Sequence, residues 1–240
     1  MPLLLLPGLL CDARLWRDQV ADLSAVAEPV VADLTVDDSF EAMARRALAH
    51  MPERFALAAL SMGGYVAFAV LRLAPQRVTR LALFDTSARP DSEFQARRRR
   101  GLMALARGGH FRGVTPRLLP QLLHPDNLAD AALTEEVMAM AERVGRPAFI
   151  RQQTAILNRP DSRPELGGIA APTLVAVGEA DQLTPPDRAQ EIAAGIPGAV
   201  LRVLPGCGHL PPMERPAPTS ALIREWLTSP LGTGWMQGGA

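Results

Sequence analysis

The stretch Phe55-Ala56-Leu57-Ala58-Ala59-Leu60-Ser61-Met62-Gly63-Gly64-Tyr65-Val66-Ala67 constrains the fold of this chain more than any other. An apolar run too short for a buried helix meets a lone serine. Two glycines follow, and then a helix-compatible stretch from Tyr65 to Leu73 that stops before Pro75. The pattern predicts strand, sharp turn, helix. A serine at such a turn projects its hydroxyl above the end of the strand, with a helix N-terminus behind it. Its neighbours must be small, because the two backbones pass close together. Ala59, Gly63 and Gly64 meet that requirement.

Strand and helix patterns alternate on either side of this unit. Short apolar runs at 2–6, 28–32, 55–60, 78–84, 173–177 and 200–204 read as buried strands. Helical spacing falls between them, at 13–23, 39–51, 65–73, 186–194 and 217–227. Asp38, with Glu41 three residues on, predicts a capping box for the helix 39–51. Alternation of this kind implies parallel βαβ units, hence an α/β fold with a doubly wound, mostly parallel sheet of six strands. Between residues 88 and 166 no strand pattern occurs; helical patterns at 92–107, 115–123, 133–144 and 148–157 predict an all-helical insertion. The expected organisation is a core formed by 1–87 and 167–230, a helical cap at 88–166 and a loose Gly-rich tail at 231–240.

At 240 residues, 48% of them hydrophobic, the chain can bury one substantial core. Acidic and basic residues balance at 25 each, so nothing in the charge points to nucleic acid or an anionic membrane. The N-terminal apolar run lacks a basic flank and is broken by Pro7 and Gly8, which argues against a signal peptide or a membrane span. Two cysteines, Cys11 and Cys207, make no disulfide framework and lack metal-ligand spacing. Both are expected to be buried free thiols, no metal or cofactor is expected, and the cytoplasm is the expected location.

A serine hydroxyl becomes a useful nucleophile when a base takes its proton and a carboxylate orients that base. Of four histidines, His50 lies on a surface helix and His110 and His124 in the insertion. His209 follows the last strand in Gly206-Cys207-Gly208-His209, at the sheet edge where the Ser61 hydroxyl would also lie. The strand before it ends in Gly178-Glu179-Ala180-Asp181, which makes Asp181 the candidate acid. Asp85, after the fourth strand, is the understudy, and Glu179, close to its strand end, a weaker candidate. The expected catalytic set is Ser61, His209 and Asp181, with the backbone N–H of Met62 as one donor to a developing oxyanion.

These residues resemble the α/β-hydrolase superfamily: a nucleophile elbow of the form small-x-Ser-x-Gly, with Ala59 where the first Gly usually stands, and the chain order Ser61, Asp181, His209. Pro7-Gly8-Leu9…Leu15-Trp16, Gly178-x-x-Asp181, and Gly206-x-Gly208-His209 followed by Glu214 and Pro216 extend the likeness over nearly the whole chain. The resemblance implies a second oxyanion donor in the loop after the first strand, assigned to the Leu9 N–H with Leu10 as the near alternative. Pro7 stands where the family often has His. The likeness is greatest to small cofactor-free bacterial carboxylesterases, among them a methyl esterase acting on pimeloyl groups on acyl carrier protein, and to enol-lactonases. The family's usual N-terminal hairpin is absent.

It implies a serine esterase forming a covalent acyl-enzyme on a small or medium, largely apolar acyl ester. A perhydrolase, thioesterase, enol-lactonase or acyltransferase would use the same triad, and a ligand-binding receptor on the same scaffold is the alternative of another class. Leu10, Leu183 and Leu210 are candidate substrate-binding residues, though core packing also explains them. The run Arg97-Arg98-Arg99-Arg100 would suit an acidic carrier protein or a carboxylate-bearing ester, or simply a solvated helix face.

Overall fold

The computed structural model describes residues 1–229. The predicted tail 231–240 therefore lies outside the described residues. Six strands form one all-parallel sheet: β1 (Pro2–Leu6), β2 (Glu28–Val31), β3 (Phe55–Leu60), β4 (Val78–Phe84), β5 (Thr173–Gly178) and β6 (Val200–Leu204), in the order β2-β1-β3-β4-β5-β6. The inner strands β1, β3 and β5 are almost wholly apolar and buried because both faces are covered, whereas the edge strands β2 and β6 are partly exposed. On one face Leu4, Leu6, Leu57, Ala59, Leu83 and Val177 pack under α2 (Phe40–Ala49), α3 (Met62–Leu73) and α7 (Pro186–Gly195). On the other, Leu3, Leu5, Ala58, Phe84 and Ala176 pack under Trp16, Ile223 and Trp226, the first just ahead of α1 (Arg17–Asp22) and the latter two on α9 (Pro216–Thr228).

The chain goes outward from β1 to β2 and then returns to the other side of β1 with β3. That reversal makes the carboxyl ends of β1 and β3 a topological switch point, where the following loops part and leave a crevice.

Between β4 and β5 the structure contains no strand. It has α4 (Glu93–Arg107), the one-turn α5 (Leu119–Leu122) and α6 (Ala131–Leu157). The two helices expected at 133–144 and 148–157 form the arms of α6, bent where Gly145 adopts φ 76°, ψ 174° ahead of Pro147. The helix expected over 115–123 shrinks to Leu119–Leu122, with Pro120 inside it and proline again at 116. The N-cap of α2 is also corrected. Ser39, extended at φ −137°, ψ 146°, accepts the Ala42 N–H, so Asp38 is not the cap. The Ser92 capping box on α4 has both its hydrogen bonds.

An ion cluster within the inserted segment presents Arg159 to the core. Asp91 pairs with Arg99 at 2.7 Å and Arg159 at 2.8 Å, and Arg159 lies over the Tyr65 ring of α3 at 4.4 Å. Arg99 also donates to Gln153, so one member of the arginine run is structural while Arg97, Arg98 and Arg100 are exposed.

The start of α3 is a tight backbone crossing at the sheet edge. A Cβ on Gly63 would run into the Leu6 carbonyl of β1, and one on Gly64 into the Thr86 side chain. Gly63→Ala should therefore force α3 away from β1 at a cost of about 1–3 kcal/mol, measured by urea unfolding. A variant as stable as the wild type would show that the crossing has slack.

Candidate active site

Among the described residues only three other than glycine have positive φ, and all three stand at neighbouring strand ends: Leu10 (59°) after β1, Ser61 (54°) after β3 and Asp85 (44°) after β4. Each costs on the order of 1–3 kcal/mol and persists because its surroundings over-determine it. At Ser61 those surroundings are explicit. Its N–H donates to the Phe84 carbonyl (3.0 Å), and its carbonyl accepts from the Thr86 hydroxyl (2.7 Å) and the Gly64 N–H (2.9 Å). With its backbone tied to the end of β4, the Ser61 side chain stands clear of the sheet and partly exposed.

Ser61, His209 and Asp181 come together from three separate loops. His209 Nε2 lies 2.9 Å from Ser61 Oγ, and His209 Nδ1 lies 2.8 Å from Asp181 Oδ2. Asp181 Oδ1 accepts the N–H groups of Leu183 (2.8 Å) and Thr184 (3.2 Å), and Oδ2 accepts the Thr184 hydroxyl (2.7 Å). Burial alone would raise the Asp181 carboxyl, but the charge and hydrogen bond of His209, with those of Thr184 and Leu183, hold it well below the usual carboxylate range. A carboxylate facing Nδ1 places the imidazole proton there. Nε2 is then the free acceptor for the Ser61 hydroxyl.

Asp85 is a second acid at the same place. It is fully buried, its Oδ1 accepts the Gly178 N–H at 2.9 Å, and ligating atoms of Asp85, Asp181 and His209 all lie within 4.8 Å of one another. Asp85 Oδ2 has no donor among the described residues. Burial, then repulsion from Asp181, pushes this carboxyl well above its ordinary value against the Gly178 hydrogen bond, which favours the neutral acid. Glu179, by contrast, accepts the Gly206 N–H and faces His124, away from Ser61 and His209.

The loop after β1 turns sharply, with the Cys11 N–H returning to the Gly8 carbonyl. The Leu10 N–H is committed to Gln152 Oε1 of α6 at 3.1 Å, and Gln152, fully buried, donates in turn to the Leu34 carbonyl. The Leu9 N–H has no acceptor among the described residues. Met62, the first residue of α3, carries one of the amides that a helix start leaves without an intrahelical partner.

Leu10 is buried against Phe149 and Ala141 of α6, with Leu9 beside it. Leu210 belongs to the core cluster around Trp226, and Leu183 is 41% exposed. A cleft of about 450 Å³ opens in the inserted segment, lined by Phe111, Val114 and Met138 with Arg112, Glu142 and Arg146. Its Phe111 and Val114 pack against the cluster that holds Leu10. A second cavity, about 200 Å³ beside Val31, Arg46 and His50, contains none of these residues. Cys11 and Cys207 are buried and unpaired; burial pushes the Cys11 thiol up to about 12 and raises that of Cys207 further. Gln152 and Thr184 carried no signal in the sequence that would single them out.

An all-parallel sheet with a strained serine at the switch point defines an α/β hydrolase architecture. The chain belongs to the alpha/beta hydrolase family, which residues 3–222 match. It is 27% identical over 243 aligned residues to the pimeloyl-[acyl-carrier protein] methyl ester esterase of Edwardsiella ictaluri, covering 93% of this chain and 92% of that protein. It is 29% identical over 182 residues to the 2-hydroxy-6-oxononadienedioate/2-hydroxy-6-oxononatrienedioate hydrolase of Paraburkholderia xenovorans, covering 73% of this chain but only 62% of the relative. Among solved structures, a thermophilic esterase from Thermogutta terrifontis with malate bound superposes with a TM-score of 0.85 at 31% identity, over 95% of this chain and 89% of that one. No helix among the described residues is long and apolar enough to cross a membrane.

A raised acid has a definite signature in stability. The unfolded chain ionises Asp85 near 3.8 while the folded chain keeps the proton to much higher pH, so this residue lowers stability as pH rises above about 4. Asp85→Asn keeps the shape and removes that dependence. The variant should gain on the wild type by up to about 1.4 kcal/mol per pH unit above 4 until the folded carboxyl itself titrates. Urea unfolding at pH 3.5 and 7 measures it; an equal difference at both would mean that Asp85 is ionised when folded.

Proposed function

We propose that the protein is a carboxylic ester hydrolase that works through a Ser61–His209–Asp181 triad and a covalent acyl-enzyme. The single observation carrying this reading is the hydrogen-bonded series from Asp181 through His209 to the Ser61 hydroxyl, with spacings of 2.8 and 2.9 Å. The esterase names of the relatives and of the solved structure support it.

In this mechanism Ser61 Oγ attacks the ester carbonyl carbon while His209 Nε2 takes the hydroxyl proton. Asp181, kept ionised, stabilises the imidazolium that forms. The carbonyl oxygen becomes an oxyanion and is held by the N–H groups of Leu9 and Met62, each worth roughly 3–4 kcal/mol of transition-state stabilisation. Leu10 is not assigned this role, because its N–H is already donated to Gln152. Collapse of the tetrahedral species breaks the bond to the alcohol oxygen, which leaves with the proton from His209. Water, deprotonated by the same imidazole, then attacks the acyl-enzyme and releases the acid.

The inserted segment is the cap in this reading. The acyl group lies between Leu9 and Leu10 and the apolar wall of the cleft, which favours a small or medium, largely apolar chain. Arg112 and Arg146 at the cleft form no ion pair among the described residues, and one relative is named for a dioate. An ester ending in a second carboxylate is therefore the substrate variant to assay beside the neutral ones. An acidic carrier protein is the corresponding macromolecular partner, supported by one relative's name and by the exposed Arg97, Arg98 and Arg100.

Wild type should hydrolyse a p-nitrophenyl ester series with a chain-length optimum, and Ser61→Ala should lower kcat by a factor of about 10⁵–10⁶. Activity surviving in Ser61→Ala would overturn the triad. Parallel reactions containing hydrogen peroxide or an alcohol measure transfer of the acyl group to acceptors other than water. Dominant transfer would replace the hydrolase by a perhydrolase or an acyltransferase. Less than one turnover per chain with retained product would favour a receptor.

A further inference from the structure

His209 sits on a loop of six residues between β6 and α8 (Pro211–Glu214), too irregular to hold a side chain in place by secondary structure alone. The amides of Gly208, His209 and Leu210 nevertheless all have partners. The His209 N–H donates to the Leu122 carbonyl at 2.8 Å, and Leu122 ends α5 in the inserted segment. The two amides flanking it, Gly208 and Leu210, both donate to Glu214 Oε1, at 2.9 and 3.0 Å. The other carboxylate oxygen, Oε2, accepts the His124 N–H at 2.7 Å and Asn127 Nδ2 at 2.8 Å. One buried side chain thus takes two donors from the histidine loop and two from the inserted segment.

The contact is close as well as polar. A Cβ on Gly208 would come within 2.7 Å of the His124 nitrogen, so loop and segment touch backbone to backbone. Beneath them the Ala180 N–H donates to the Cys207 carbonyl, which ties the histidine loop to the Asp181 loop.

We propose that Glu214 is a positioning residue for the catalytic base: its carboxylate joins the inserted segment at His124 and Asn127 to the amides on either side of His209 and so sets the approach of Nε2 to Ser61. The inference rests on the role proposed above for His209. It makes residues 122–127 part of the catalytic frame and not a detachable cover. Substrate then enters on the other side of the segment, where the cleft opens between Phe111, Val114 and Met138.

Glu214→Gln tests the joint at constant shape. A glutamine has one acceptor oxygen and one NH₂ group, so in either orientation it turns N–H toward N–H on one side. The variant, checked for an unchanged far-UV circular dichroism spectrum, should lose about tenfold or more in kcat on a p-nitrophenyl ester with KM within twofold, since a shift of about 1 Å in a catalytic group costs up to 10²-fold.

A fluorophosphonate gives a readout free of substrate fit. Ser61 Oγ displaces fluoride from phosphorus and its proton passes to His209, so the rate of modification should fall by the same factor as kcat. The low-field proton resonance of the His209 Nδ1–H on Asp181 should shift or broaden. Should Glu214→Gln not fold, Asn127→Ala removes one donor from Oε2 and should give a smaller loss in the same direction. A folded Glu214→Gln modified as fast as wild type would overturn the inference while leaving the triad intact. A wild type that is not modified at Ser61 would overturn the triad reading on which it rests.

Discussion

The contact on which the rest depends is the crossing of α3 over the end of β1. The first turn of α3 can lie against the Leu6 carbonyl only because Gly63 has no side chain, and it can turn there only because Ser61 accepts a φ of 54°. That crossing draws the loop after β1 onto the loop after β3, with Gly8 against Ser61; in our proposal the Leu9 and Met62 amides serve the oxyanion there. Among the described residues other than glycine, positive φ is confined to this edge; backbone hydrogen bonds to Phe84 and Ala176 hold Ser61 and Asp85, and the Gln152 side chain of α6 holds Leu10.

Three acids surround His209, and the fold treats each differently. Asp181 has four donors on its two oxygens and faces the imidazole, which favours its charge. Asp85, a few ångströms away, has one donor and no counter-charge, which favours its proton. A neutral Asp85 spares the site a second buried negative charge beside Asp181. Glu214 meets four N–H donors and the Cys207 thiol and, in our proposal, acts on backbone position, not on charge. Three side chains of one chemistry thus differ in role because the number and kind of their hydrogen-bond partners differ.

The segment between β4 and β5 reaches into the site at two points. Gln152 takes the Leu10 N–H, which leaves Leu9 as the amide assigned to the oxyanion in our proposal, and Leu122 takes the N–H of His209. The Asp91, Arg99 and Arg159 cluster, and Arg159 stacked over Tyr65, fasten the same segment to α3. Changes in it therefore bear on the geometry around Ser61 as well as on the shape of the cleft.

What the sequence determined by itself is what local sterics and short-range pattern determine. Short apolar runs marked all six strands, most clearly β1, β3 and β5, because strands buried on both faces need no alternation. The small residues around Ser61 marked the turn, and the chain order placed Asp181 and His209 after their strands. Local pattern failed where two signals competed within a turn of helix, at Asp38 against Ser39 and along the proline-interrupted stretch 115–123. The tertiary structure alone decided which β1-loop amide remains free, since the acceptor that occupies Leu10 lies 142 residues further on. It alone put Asp85 beside Asp181 and joined Glu214 to His124, 90 residues before it. Partners so far apart in sequence leave no periodicity between them; only the packing of strand ends against the inserted helices brings them within hydrogen-bond reach.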